Sequence, residues 1–446
     1  MSPSVRPRRL VPVLAVLAAL GSGLGGPAVH AQQGDAADVT WRVARVSVSS
    51  TGAQAVVPRD REETLRVPSI SDAGRFVAFS SAAENLVRGD DNGRPDVFVR
   101  DRLRNRTVRV SVGVSGRQAD GGSFSPMISG DGRFVVFASR ATNLARGDSD
   151  RKPDIYLRDR RTRVTRLVSV EVPGRWARTA FTAPSVSAHG RSVAFGSHGF
   201  DPDTGSIGAV FVRDRRSRTT ERVAPTSGGY STGPLLSADG RFVALSSTEP
   251  LTPDDRPDTS DVFVVDRVSG EIQRVVAGTG HGESRRSVVM PSISADARYV
   301  AVEVLEGTSR EGTTMNIWVW DRVTGESRIV STTGDGRELP VGAPPDSPRP
   351  AAISGNGDHV AFVSPARLLP GDRNGTWDVY VRDLRDDSLT LVTRGTGGGS
   401  ADGPSTSVDM SLDGGEVAFL SSAENLVPRD SNERDDVFVA LRRLAR

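Results

Sequence analysis

The chain contains no cysteine. Disulfides, thiolate nucleophiles, zinc–thiolate sites and a lipid-anchored cysteine are therefore excluded. Its only lysine is Lys152, so almost every basic residue is arginine, and aromatic residues make up 5%. Basic excess is lacking too. Residues 1–31 carry Arg6, Arg8 and Arg9 and no acid, which leaves 54 basic against 55 acidic residues beyond them. Those arginines recur at fixed intervals beside Asp rather than in one stripe. The pI near 9.3 is thus no nucleic-acid footprint. No HExxH helix occurs. Past residue 31 the histidines are His189, His198, His281 and His359, scattered along the chain, which speaks against a histidine metal cluster. Beyond the N-terminal segment no stretch has a helical period or the length of a membrane span.

The N-terminus reads as a signal peptide over residues 1–31. Arg6, Arg8 and Arg9 form a charged start, Leu10–Leu20 an apolar core of 11 residues, and Val29-His30-Ala31 a small-residue cleavage site. Such an apolar run is too short to cross a bilayer. The expected location is secreted or extracytoplasmic, in the cell envelope. Residues 32–40 read as a flexible leader and 41–446 as one domain.

That domain repeats itself. The stretch Pro68–Ser111 returns from Pro126, Pro184, Pro234, Pro291, Pro350 and Pro404, at intervals of 58, 58, 50, 57, 59 and 54 residues. A period this steady marks repeated supersecondary units. Each unit reads as four strands. The first is short and ends at a turn such as Asp131-Gly132-Arg133, and the second, such as Phe76–Ser80, is apolar at consecutive positions. Strands covered on both faces read that way, and neighbouring units supply the cover. Trp41–Ser49 matches the last strand of a unit but has no first three before it. Pro404–Leu441 supplies three strands and stops. The two fragments complement each other, and pairing them would leave no open edge. The expected fold is all-β: a seven-bladed β-propeller of four-stranded antiparallel blades, closed by the N-terminal strand completing the C-terminal blade. Six blades with a loose remainder is the alternative, because the fifth unit diverges most.

The repeats resemble the TolB-like propeller family, a branch of the WD-like repeats. Pro68-Ser69-Ile70-Ser71, Gly74-Arg75-Phe76-Val77-Ala78-Phe79 and Asp96-Val97-Phe98-Val99 carry the likeness. It covers about residues 41–441 and implies fold rather than function. One departure is consistent. The family places Pro before the Asp-Gly turn, and Gly130, Ala188, Ala238 and Ala295 stand there in this chain. TolB's extra N-terminal domain also has no room here, so the chain is not TolB itself.

The link between the second and third strands carries the clearest chemical motif. Asp90, Asn92 and Asp96 return as Asp148, Asp150 and Asp154, as Asp372, Asn374 and Asp378, and as Asp430, Asn432 and Asp436. Oxygen ligands at alternate positions can converge on a hard cation such as calcium. Asp and Asn also build plain turns, and two or three side chains fall short of the six to eight oxygens that calcium takes. Both readings stay open. Units three and five break the pattern, and unit four has Asp254, Asp255, Asp258 and Asp261 at altered spacing.

In a propeller these acidic loops and the links between blades share one face, and the Arg-rich hairpin turns share the other. An acidic face and a basic face are expected, with the acidic one as the binding surface. Trp176, Trp318, Trp320 and Trp377 are candidates for stacking on a sugar or for core packing. With no cluster of His, Glu and Asp on the short first strands, the sequence favours binding over catalysis. The expected role is a secreted, non-enzymatic platform for a protein or cell-envelope polymer, with no nucleic-acid partner. The alternative is a polysaccharide lyase or hydrolase working in the channel.

Overall fold

A serine sets the first hairpin of every unit. Ser71, Ser129, Ser187, Ser237, Ser294, Ser354 and Ser411 each directly follow an innermost strand, and each Oγ accepts the backbone N–H five residues on, at 2.9–3.0 Å. The bond closes the turn where Gly74 and Gly132 take φ of 65° and 68°, a conformation open to glycine. The second strand then starts in fixed register.

The computed structural model describes residues 39–57, 67–113, 116–148, 150–172, 179–201, 205–224, 230–255, 260–277, 286–308, 312–338 and 351–444. The signal-peptide call, Trp176 and His281 lie outside them. The described residues form seven sheets, each with a path of four antiparallel strands, and no helix. Blades 1 to 6 span 69–109, 123–167, 180–222, 231–274, 286–329 and 351–391. Blade 7 takes three strands from 405–444, and its fourth is Val39–Arg45, which pairs with Asp436–Leu444 from Val39↔Leu444 to Arg45↔Phe438. The protein is a seven-bladed β-propeller. The expected strand Trp41–Ser49 is shifted, and the expected leader loses Val39 and Thr40 to it. Within the expected leader, 32–38 lies outside the described residues.

Packing between blades makes the core. In blade 1, Val77 and Phe79 face blade 7 with Leu420 and Val437, and Ala78 faces blade 2 with Val135 and Phe137. That two-sided cover explains the unbroken apolar runs. Phe79 stacks on Phe98 at 5.8 Å, and the same pair recurs as Phe137–Tyr156, Phe195–Phe211, Phe362–Tyr380 and Phe419–Phe438.

Blades 3 and 5 diverge for a structural reason. In blade 5 the second and third strands, Tyr299–Thr308 and Gly312–Asp321, pair to their tips at Thr308↔Gly312. In blade 3 Gly205–Ile207 extends the second strand's pairing. Long hairpins replace the acidic loop in both.

A ring of backbone hydrogen bonds links the blades at the end of the channel where the first hairpins turn. Asp72 N donates to Gly130 O, Asp131 N to Ala188 O, Ala188 N to Ala238 O and Ala238 N to Ala295 O. Ala295 N then donates to Gly355 O, Asn356 N to Leu412 O and Leu412 N back to Asp72 O, all at 2.8–3.1 Å. A proline at 188, 238 or 295 could not donate. That is the physical content of the departure from the TolB-like pattern. A Cβ on Gly130 would stand 2.1 Å from Asp72 Oδ2, so any side chain there would have to push that carboxylate aside.

Candidate functional site

The third Asp of each acidic motif has a structural task. Ser111 Oγ accepts from Val97 N at 3.0 Å and donates to Asp96 Oδ1, tying the outermost strand to the third. Ser169 and Thr393 donate to Asp154 and Asp378 at 2.5 Å, and Ser47 donates to Asp436.

The other carboxylate oxygens divide the loops into two kinds. In blade 1, Phe98 pairs in register with Arg109. The Arg109 guanidinium lies 2.9 Å from Asp90 and 3.4 Å from Asp96 Oδ2. Asn92 turns its amide nitrogen to Asp96 Oδ2 at 3.1 Å, and its oxygen accepts Arg94 N. Blade 7 repeats this across the chain ends. Phe438 pairs with Arg45, which reaches Asp430 at 3.0 Å and Asp436 at 3.6 Å, while Asn432 donates to Asp436. In blade 4, Phe263 pairs with Arg274, which lies 3.1 Å from Asp254 and 3.9 Å from Asp255 and Asp261. Asp258 is outside the described residues. These loops already hold a cation of the protein's own, so the calcium reading does not suit Asp90, Asn92, Asp96, Asp430, Asn432 and Asp436.

Blades 2 and 6 are built differently. Tyr156 pairs with Leu167 and Tyr380 with Leu391, so no arginine enters from that position. The tyrosine hydroxyl donates to the first Asp instead: Tyr380 to Asp372 at 2.5 Å, and Tyr156 to Asp148. Oxygens of Asp148, Asp150 and Asp154 lie within 4.8 Å of one another. In blade 6, Asp372 and Asp378 are buried, Asn374 donates to Ala401 O at 2.9 Å, and Asp378 Oδ2 has no hydrogen-bond partner. Burial pushes Asp378 up to about 7, against the Thr393 hydroxyl and a smaller pull from Asn374, with Asp372 adding to the rise. Burial likewise raises Asp154 to about 6, opposed by Ser169 and reinforced by Asp148 and Asp150. In blade 1, burial raises Asp90 to about 6 with help from Asp96, and Arg109 pulls it back.

The channel offers a second site. At the mouth on the acidic-loop side, a cavity of about 390 Å³ is lined by Pro126, Met127, Pro184, Pro234, Met290 and Pro291 among others. Its walls are mainly apolar. Ser125, Ala183 and Met290 stand just before three of those prolines with φ of 51°, 48° and 52°, and each sits at a bulge of its innermost strand. Left-handed conformations in non-glycine residues are strained and cluster where a binding surface is shaped. Tyr230 also lines the cavity, and its hydroxyl bonds His198 Nδ1 at 2.7 Å. Glu303 was missed in the sequence. It pairs in register with Val289 of the lining, is buried, and is raised by burial to about 7. Beyond the mouth the channel narrows to about 140 Å³ between residues of all seven blades, with Asp72 and Asp409 in its wall.

The expected basic face is a face of pairs. Arg75, Arg133, Arg191, Arg241 and Arg298 bind Asp101, Asp159, Asp214, Asp266 and Asp321 at 2.6–3.0 Å. Arg160 caps the Phe76 ring at 4.0 Å and donates to Gly132 O. Further arginines stand around these pairs, Arg104, Arg106, Arg158 and Arg163 between blades 1 and 2 and Arg166, Arg215 and Arg218 between blades 2 and 3, so this face keeps a basic excess. Among the remaining candidates, His189 is exposed beside Asp131 at 3.8 Å, and His359 is buried against Asp383 at 3.2 Å. Trp318, Trp320 and Trp377 pack against hydrophobic clusters, which favours core packing over sugar stacking.

No family model and no curated protein matches the chain. Solved structures do. An oligogalacturonate lyase in complex with manganese superposes with a TM-score of 0.55 at 12% identity, over 91% of this chain and 96% of that one. The oligogalacturonate lyase of Vibrio parahaemolyticus gives 0.54 at 13% identity, over 91% and 98%. A TolB-like structure from Agrobacterium tumefaciens aligns at 16% identity over 66% of this chain and 88% of that one, with a TM-score of 0.38. At such identities the likeness is one of fold.

Proposed function

We propose that the chain is a secreted, non-enzymatic binding platform that holds a protein segment at the loop-bearing mouth of its channel. The apolar cavity carries this reading. About 390 Å³ is room for one or two apolar side chains of a partner, and bulged prolines give it a fixed shape. Among the described residues of its lining Tyr230 is the one aromatic, where a sugar polymer calls for stacking faces. The carboxylates of the narrow compartment, Asp72 and Asp409, sit in about 140 Å³, too small for a polymer and its catalytic groups together.

Met290 is exposed at the rim, so Met290→Glu tests the surface without burying a charge. Envelope protein and envelope polysaccharide fractions would be passed separately over immobilised protein. Retention of one protein species, weakened about tenfold by Met290→Glu, is expected for a partner seated in the cavity. Equal retention by both forms would remove the mouth from the binding surface. The lyase reading has the fold likeness and Glu303 in its favour. Cleavage of oligogalacturonate with manganese present, lost in Glu303→Gln, would replace the platform by an enzyme.

A further inference from the structure

The same oxygen meets different partners from blade to blade. Asp96 Oδ2 meets Asn92 and Arg109, and Asp436 Oδ2 meets Asn432 and Arg45. Its counterpart Asp378 Oδ2 is fully buried, has no well-formed hydrogen bond and meets no arginine, with the neutral Asn374 amide exerting a weak pull on the carboxylate. Asp378 is 0% exposed and Asp372 3%, so two carboxylates are enclosed together without the arginine that their counterparts have. A buried carboxylate left without a counter-charge is strongly unfavourable. The cross-strand exchange of Phe–Arg for Tyr–Leu removes the guanidinium and supplies one neutral hydroxyl, which Asp372 takes.

We propose that the blade 6 loop binds a hard divalent cation through Asp372, Asn374 and Asp378, at the place that an arginine fills in blades 1, 4 and 7. Oxygen donors of this kind suit calcium, magnesium or manganese, with backbone carbonyls and water completing the shell. Thr393 fixes one oxygen of Asp378 and leaves the other for the ion. Tyr380 orients Asp372 as an outer partner orients a metal ligand. Gly375, at φ 67°, lets the loop bend back between the ligands.

Leu391→Arg decides the matter. It places an arginine where blades 1 and 7 have one, opposite Phe98 and Phe438, and is expected to displace the cation; Asp378→Asn carries the test if the arginine is not accommodated beside Tyr380. Terbium would be added to the full chain, its emission excited through Trp377 and Tyr380, and calcium, magnesium and manganese used as competitors. Emission competed by at least one of them is expected, with melting raised by about 2 °C or more at saturation. Leu391→Arg and Asp378→Asn should each weaken the response about tenfold or more, by supplying or removing charge at one point. Leu167→Arg, the same exchange in blade 2, should leave the blade 6 response in place. No competed emission in the parent chain would overturn the proposal. So would a response that survives Leu391→Arg, or one that Leu167→Arg alone abolishes.

Discussion

Position 109 and its counterparts decide what each acidic loop contains. Arg109 is nearly buried between Asp90 and Asp96. Arg109→Leu should cost about 3 kcal/mol in urea unfolding at pH 7, because it strands two enclosed carboxylates. Phe98→Tyr added to it should recover part of the loss through a hydroxyl bond to Asp90. Asp378 makes an opposite case. Its folded-state value near 7 exceeds the ordinary 3.8, so the folded protein holds this proton more tightly than the unfolded chain. Stability from this group is present below pH 4 and is lost as the pH rises to 7. Without metal at pH 8, Asp378→Asn should be more stable than the parent by up to about 4 kcal/mol, at 1.36 kcal/mol per unit. Melting curves across pH 4–8 in chelator check the sign. Of this site, the Asp and Asn ladder was legible in the sequence. Its division into two kinds was not, because Arg109 and Leu391 stand far from the motif in sequence and reach it only through strand register.

At the scale of elements, the ring at the channel end is the most exposed to a single change. Ala238 both accepts from Ala188 and donates to Ala295, at 2.9 Å each. Ala238→Pro deletes the donor and leaves the Ala295 carbonyl unpaired, a loss of about 2 kcal/mol. Ala238→Gly keeps the bond and serves as the control, with urea midpoints as the readout. The small residues were visible as a departure from the family's proline. Their purpose was hidden, because a hydrogen bond between blades leaves no periodic trace within one blade. The serine staple was visible only as composition, since Ser71 and Phe76 belong to different strands.

For the whole molecule, the repeat period pointed to seven blades, because each blade needs its neighbours for cover, with six and a loose remainder left open by the divergent fifth unit. Val39–Arg45 completes the last sheet, and Trp41 donates to Thr390 in blade 6 at 3.1 Å. Deleting 39–45 should expose the Asp436–Leu444 edge and shift the elution profile from the parent's to a broader one of larger species. Charge on the two faces sets the pH response. Hydrogen bonds from Arg75, Arg241 and Arg298 lower Asp101, Asp266 and Asp321, so their contribution is present above pH 4 and is lost on acidification. Burial raises Asp90, Asp154 and Asp430 to about 6, so their cost appears between pH 4 and 6. The melting temperature in chelator should therefore peak near pH 4–5. A peak at pH 7 or above would mean that the buried acids are compensated in solution.

The ring of peptide bonds has one more property. Every donor points from one blade to the next in the same rotational sense, and the last closes on the first. A row of aligned peptide dipoles that ends, as in a helix, leaves partial charge at its tips. A row that returns to its start has no tips, and its moments cancel around the axis. The ring's peptides alone would exert no net pull on a charged group lowered into the cup; any such pull comes from the carboxylates of Asp72 and Asp409 in the wall. Selection inside the cup is left to side chains, volume and contour rather than to the backbone.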